Sequence, residues 1–187
     1  ALLGWSSPAL HLRPRDRWIG WSESQRAARL RWIAQNSRFL LLPDRTQYPN
    51  LASRLLALCT RRLAQDWRAA FGHPVLLAET FVDPDHFRGS AYKAAGWHCL
   101  GATGGFVRDY RDFYLDLDQP KQLWVRSLHP NARAWLRADP LPPALVRQGG
   151  RPEGAPRCAY QSSQLDPLWQ RFHDRLLVPP GMVQSGA

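Results

Sequence analysis

Residues 38–106 decide the fold: RFLLLP (38–43), QYPNLASRLLALCTRRLAQDW (47–67), HPVLLAETFVD (73–83), HFRGSAYKAAGW (86–97) and HCLGATGGF (98–106). In order they read as a strand, a long helix, a strand, a short helix and a strand, with a turn signal at each joint. Arg38–Leu42 is a buried-type strand that Pro43 closes. Leu51, Leu55, Leu58 and Leu63 fall near one face of a helix from Leu51 to Trp67, with Asn50 placed to cap it. Val75–Val82 opens on the apolar run VLLA, the pattern of a central strand covered on both faces. Gly89–Ala95 is a short helix ended by Gly96, and Trp97–Thr103 returns as a strand before the turn at Gly104-Gly105.

The flanks extend this core. Residues 1–21 hold Pro8 and Pro14, the charge run Arg13, Arg15, Asp16, Arg17, and Trp5, Trp18 and Trp21. They are expected to form an irregular arm. Such an arm either binds nucleic acid through Arg and aromatic groups or packs its Trp rings on the core and solvates its cations. Ser22 with Gln25 is a capping box. The helix it opens is expected to run to about Gln35, with Ala27, Leu30, Ile33 and Ala34 on its apolar stripe and Arg26, Arg29 and Arg31 largely off it. Asn36-Ser37 would end it. Beyond the core, Arg108–Asp118 alternates charged and aromatic residues. Lys121–Leu128 reads as a strand with Leu123, Val125 and Ser127 facing one way and Trp124, Arg126 and Leu128 the other. Asn131–Arg137 reads as a short helix. The expected organisation is an arm at 1–21, an α/β (α+β) domain at 22–137, a Pro- and Gly-rich linker at 138–163, and a docking helix with a mobile tail at 164–187.

The chain has 187 residues and a formal net charge of +10. Apolar runs are short and broken by charge, so no membrane span is expected. The start at Ala1 has no basic-then-apolar leader, which reads as a processed start or an excised fragment and not as a signal peptide. Cys59, Cys99 and Cys158 are widely spaced, which suits three thiols in a reducing cytoplasm better than a disulfide framework. Nearly all the cations are Arg. Residues 1–68 carry twelve Arg against four acids, and residues 69–187 carry thirteen cations against eleven acids. The positive field therefore belongs to the first third of the chain. Arg grips phosphate in a bidentate fork, so a nucleic-acid partner is what this distribution suits, as it also suits GC-rich codon usage. The candidate contacts are Arg13, Arg15, Arg17, Arg26, Arg29, Arg61 and Arg62.

Glu79 stands inside the apolar strand. A buried carboxylate is costly unless it is paired or protonated. Two readings follow: a structural acid paired with Arg, or a general base with a raised pKa. Glu79, Asp83, His86, Arg88 and Tyr92 cluster on one strand end and the turn after it, where α/β sheets place their sites, a set that could serve to cut or modify nucleic acid. Four residues along a strand set Glu79 and Asp83 about 13 Å apart, too far to share an ion without a bend after Phe81. The other histidines show no ligand spacing, and no metal is expected. The residues by themselves identify no cofactor.

The order of elements resembles the acyl-CoA N-acyltransferase (GNAT) fold, which implies a mixed central sheet flanked by helices. That family holds the CoA pyrophosphate at the start of its long helix with a Gln/Arg-x-x-Gly-x-Gly/Ala turn. The matching residues are Gln47, Asn50, Leu51 and Ala52, with Asn50 where Gly is usual and Pro49 lacking a donor. A later Tyr-x-x-x-Gly-aromatic motif, Tyr92 to Trp97, implies Tyr92 as general acid toward the CoA thiolate.

A closer resemblance covers about residues 13–137. The segments RPRDRWIGWS, NSRFLLLP, YPNLASRLLAL, RRLAQDWRAAFGHPVLLAETFVDPDHFRGSAYKAAGW and LGATGG are similar to the DruA family of the Druantia anti-phage system and its transposon-associated relatives. This resemblance implies a DNA-associated accessory protein of a defence system or mobile element, with other proteins of that system as partners. It hands over no reaction. Where that family continues with Arg-Gly-Arg, this chain has Gly104, Gly105, Phe106, Val107 and Arg108.

Overall fold

The computed structural model describes residues 1–42, 47–104, 106–108, 114–116 and 119–146, all within a compact unit spanning Ala1–Ala155. The chain runs from β1 (Leu2–Ser6) through α1 (Arg13–Ile19) and α2 (Glu23–Arg29) into β2 (Ile33–Leu40). Next come α3 (Leu51–Phe71), β3 (Leu77–Val82), α4 (Ser90–Ala94) and β4 (His98–Ala102). The short strands β5 (Phe106–Arg108) and β6 (Tyr114–Asp116) pair with each other. β7 (Gln122–Ser127), α5 (Ala132–Arg137) and α6 (Pro143–Val146) follow. The main sheet has the order β1-β2-β3-β7-β4. β2 and β3 are parallel, and the other neighbours are antiparallel. This is a mixed five-stranded sheet of the α+β class.

Strand alternation sorts the apolar residues onto two faces. Leu77 of β3 and Leu123 and Val125 of β7 join Ile19, Ile33, Leu136 and Leu145 on the side covered by α1, α5 and α6. Ala78 and Val82 of β3 and Trp124 of β7 join Leu56, Leu63 and Trp97 on the side covered by α3 and α4. β3 is thus buried on both faces, as its continuous apolar run predicts. Each wholly buried Leu contributes about 1.5–3 kcal/mol. Among the described residues no helix is long and apolar enough to cross a membrane.

Several expectations are corrected. Residues 1–21 are not an irregular arm: β1 is an edge strand of the main sheet, and α1 packs on one face of that sheet through Ile19. The capping box at Ser22 forms as read, but α2 ends at Arg29, and a 3-10 turn at Leu30–Trp32 leads directly into β2. Ile33 and Ala34 fit a helical stripe equally well by spacing. They bury on opposite sheet faces instead, paired with Leu77 and Ala78, so long-range packing overrides local pattern. Asn36-Ser37, expected to stop a helix, lies mid-strand at a bulge: Gly4 pairs with Arg38 and Trp5 with Asn36, leaving Ser37 as the extra residue. α3 runs one turn beyond Trp67 to Phe71. Of the linker expected at 138–163, Leu141 and Leu145 pack on the core, and residues 147–163 lie outside the described residues. The expected docking helix and tail at 164–187 lie outside the described residues.

Candidate functional site

Glu79 is fully buried on the α1 side of the sheet, beside Leu77 and Phe81 in the strand alternation. Its partner is Arg15, which is equally buried. Arg15 Nη1 donates to both carboxylate oxygens at 3.1 and 3.2 Å and to the Ala9 carbonyl at 2.7 Å. Arg15 Nη2 donates to the Leu10 carbonyl, its Nε donates to Asp16, and the Ala9 amide donates to Glu79 at 3.2 Å. Burial pushes the Glu79 carboxyl above the ordinary Glu range, and the Arg15 guanidinium pulls it back down. Of the two readings of Glu79, the geometry matches the Arg-paired structural acid. With its oxygens enclosed and bonded, it has no open approach for a substrate.

The same cluster removes three arginines from the expected nucleic-acid contacts. Arg15 is spent on Glu79. Arg29 is buried, with Nη1 donating to the Leu136 carbonyl at the end of α5. The Arg26 side chain is 16% exposed and bridges Asp16 and Glu23. Asp16 also accepts from the Trp21 indole and the Leu12 amide. These arginines tie α1, α2 and α5 together. The Arg26 contacts to Asp16 and Glu23 had a local sequence signal, whereas Glu79 and the Leu136 carbonyl lie 64 and 107 residues from Arg15 and Arg29.

A second polar cluster lies on the opposite face, where β2 and β3 part. Their parallel pairing covers Ile33–Gln35 against Leu77–Glu79 and stops there, although both strands continue. Thr80 Oγ1 donates to the Asn36 carbonyl at 2.9 Å across the opening. The Tyr92 hydroxyl donates to Asn36 Oδ1 at 2.8 Å. Asn36 Nδ2 donates to the carbonyls of Gly4 and Arg38, so the bulge fixes the amide's orientation. The Tyr92 ring stands edge-on to Trp97 at 5.1 Å and to Phe39 at 6.2 Å. Burial raises its phenol pKa. Strand alternation sets Tyr92 and Glu79 on opposite faces of the sheet, so they do not form a shared acid and base pair. Asn36 was not foreseen as a site residue, because the local pattern placed it at a helix end.

Asp83, His86 and Arg88 lie on the turn after β3. Asp83 accepts the Asp85 amide at 3.0 Å and contacts His86 Nδ1 at 3.2 Å, which holds its carboxyl below the usual range. Arg88 is exposed. Asp83 is a surface group and Glu79 an enclosed one. Among the described residues no group of His, Cys, Asp and Glu side chains could hold a metal ion.

The N-terminal turn of α3 has the left-handed residue that a phosphate loop needs: Asn50 has φ 59°. The Leu51 amide, however, donates to the Tyr48 carbonyl, and the Arg54 amide to the Asn50 carbonyl. Pro49 has no N–H. Gln47 and Asn50 are exposed, and Leu51 and Ala52 half-buried. The turn therefore fits a pyrophosphate poorly.

The remaining expected cations, Arg13, Arg17, Arg61 and Arg62, are exposed. Arg13 and Arg17 are exposed on α1. Arg54, Arg61 and Arg68 recur every seven residues along the exposed side of α3, about 10.5 Å apart along its axis. Arg62 lies beside them, paired with Asp66 at 3.2 Å in an exposed contact of little energetic weight. At the C-terminal end of α3 an open pocket of about 450 Å³ is lined by Trp5, Leu30, Arg31, Trp67, Phe71 and His73 among others.

No curated protein and no solved structure matches the chain. A family model described as Druantia protein DruA matches residues 1–122, which span β1 to the first residue of β7. The match takes in the buried Arg15–Glu79 pair, the opening between β2 and β3, and the whole of α3, and on it the chain belongs to the DruA family.

Proposed function

We propose that this protein binds the phosphate backbone of nucleic acid, with DNA as the expected form, as an accessory member of an anti-phage defence system or mobile element. Family membership associates it with the Druantia anti-phage system. One observation supports the binding reading most directly: Arg54, Arg61, Arg62 and Arg68 lie along the exposed side of α3, where Arg62 pairs with Asp66. Arg13 and Arg17 on α1 add to the same field. Arg15, Arg26 and Arg29 are left out, because their guanidinium groups are committed inside the fold. Contacts of this kind position a partner without reading its sequence. Other defence or transposon proteins are the expected protein partners.

A salt series tests the reading. Each phosphate neutralised steepens the fall of log affinity with log salt by about 0.9 for duplex DNA. Arg61→Gln is expected to weaken binding evenly across sequences and to reduce that slope by about 1. Affinity that ignores salt, or no binding at low salt, refutes it.

A second reading, a transferase using an acyl-CoA donor, draws on the strand–helix order of β2 to β4 and on the Tyr92 hydroxyl at the opening between β2 and β3. The poor fit of the α3 turn to pyrophosphate weighs against it, and no reaction step is derived from it. Calorimetry with CoA decides: no heat at millimolar CoA removes this reading. Strand cutting or modification by Glu79 with Asp83 is disfavoured by the enclosure of Glu79.

A further inference from the structure

We infer that the pocket at the end of α3 receives an unpaired base of single-stranded nucleic acid; this rests on the phosphate-binding reading and extends it. Three segments build the pocket. The end of β1 supplies Trp5, the 3-10 turn supplies Leu30 and Arg31, and the last turns of α3 with the residues after it supply Trp67, Phe71 and His73. Its volume of about 450 Å³ lies within the ~300–1,000 Å³ range of small-ligand sites. The walls are ring-rich. Trp67 and Phe71 have centroids 4.5 Å apart, and His73 stands 6.3 and 6.5 Å from them. Phe71 is 53% exposed, so folding does not use most of its surface.

Charge selects the occupant. The pocket adjoins the C-terminal end of α3, where backbone carbonyls present partial negative charge and disfavour an anion. A neutral planar ring suits that end. The anionic part of the ligand belongs elsewhere. Arg31 is exposed at the pocket, its guanidinium 5.5 Å from the Trp32 ring centroid. Arg68 precedes Phe71 by less than one turn, and Arg61 and Arg54 continue the line along α3. A strand lying along α3 could therefore keep its phosphates on the arginines and insert one base at Phe71. Stacking on aromatic rings accepts any base, because every base has a π-face. A duplex keeps its bases paired and would use the arginines alone.

The test uses the full chain and fluorescence anisotropy at fixed low salt. The probes are a short thymidine strand, an abasic strand of equal length and charge, and a duplex, with the ribose form of the intact strand as a further arm. The intact strand should bind about 5- to 150-fold more tightly than the abasic one, the range one stacked base contributes. Phe71→Ala should bring the intact strand down to the abasic level, and Phe71→Trp should restore the gap. Arg31→Gln should weaken intact and abasic strands alike. The ribose arm tells whether DNA or RNA is preferred. Equal affinity for intact and abasic strands overturns the base pocket and leaves phosphate binding standing. Failure of every probe to bind overturns both.

Discussion

Arg15→Met gives the sharpest test of how this fold is held. The substitution keeps a long unbranched side chain and removes the guanidinium. Glu79 then stays fully buried with the Ala9 amide as the remaining donor among its described bonds. The Ala9 and Leu10 carbonyls and Asp16 lose a donor as well. Breaking a buried pair from one side costs about 3–5 kcal/mol, against a total stability of ~5–15 kcal/mol for a domain. The loss depends on pH, with a sign that can be worked out. Burial already raises the folded pKa of Glu79 above its ordinary 4.5, and Arg15 opposes that rise. Without Arg15 the folded pKa climbs further. A group with a raised folded pKa favours folding below its unfolded pKa and loses that stability as pH rises through the folded value. The deficit of Arg15→Met is therefore largest at pH 7 and shrinks on acidification toward pH 5. Each unit by which the variant's folded pKa exceeds that of the wild type changes the deficit by about 1.4 kcal/mol. Urea unfolding followed by Trp fluorescence at the two pH values measures both effects. A deficit below about 1 kcal/mol that is equal at both pH values refutes the structural assignment and reopens Glu79 as a functional group.

Three further outcomes are expected. Gly89 has φ +67°, and a Cβ there would lie 2.5 Å from the Trp124 ring, whereas Gly20 has φ +76° and open space. In thermal unfolding Gly89→Ala should cost about 2–5 kcal/mol from left-handed strain plus overpacking, and Gly20→Ala about 1–2 kcal/mol from strain alone; equal losses would refute the contact. Tyr92→Phe removes the bond to Asn36 and should cost about 0.5–1.5 kcal/mol in urea unfolding, and in the wild type one phenol should titrate late in an alkaline absorbance scan. Arg29→Met should cost about 1–3 kcal/mol through the orphaned Leu136 carbonyl, while Arg61→Gln on the exposed face of α3 should change stability by less than about 0.5 kcal/mol.

The core of this fold was legible where burial and local pattern agree. The apolar run before Glu79, the glycines at 89 and 96, and the alternation of Leu123, Trp124 and Val125 each place a strand or helix as observed. Legibility failed where a distant partner decides. Ile33 and Ala34 fit a helix by spacing and become a strand because β3 offers them a parallel neighbour. Arg13, Arg15 and Arg17 look alike in sequence, yet Arg15 alone of the three is buried, and Glu79 lies 64 residues away. The polar cluster at Asn36, Thr80 and Tyr92 was half visible: Tyr92 by its motif, Asn36 not at all, because its role depends on a bulge created by pairing with β1.

The position of β7 carries a consequence for synthesis. β7 lies between β3 and β4, strands that precede it in the chain and are joined through α4. In the finished sheet β7 fills the two-strand gap between them, about 9.5 Å, and supplies Leu123, Val125 and Trp124 to the two core clusters. A nascent chain therefore cannot close its sheet when β4 leaves the ribosome; closure waits for residues 122–127. It also means that a fragment cut at residue 122 would carry nearly all the family-matched sequence and still lack the strand that completes the core.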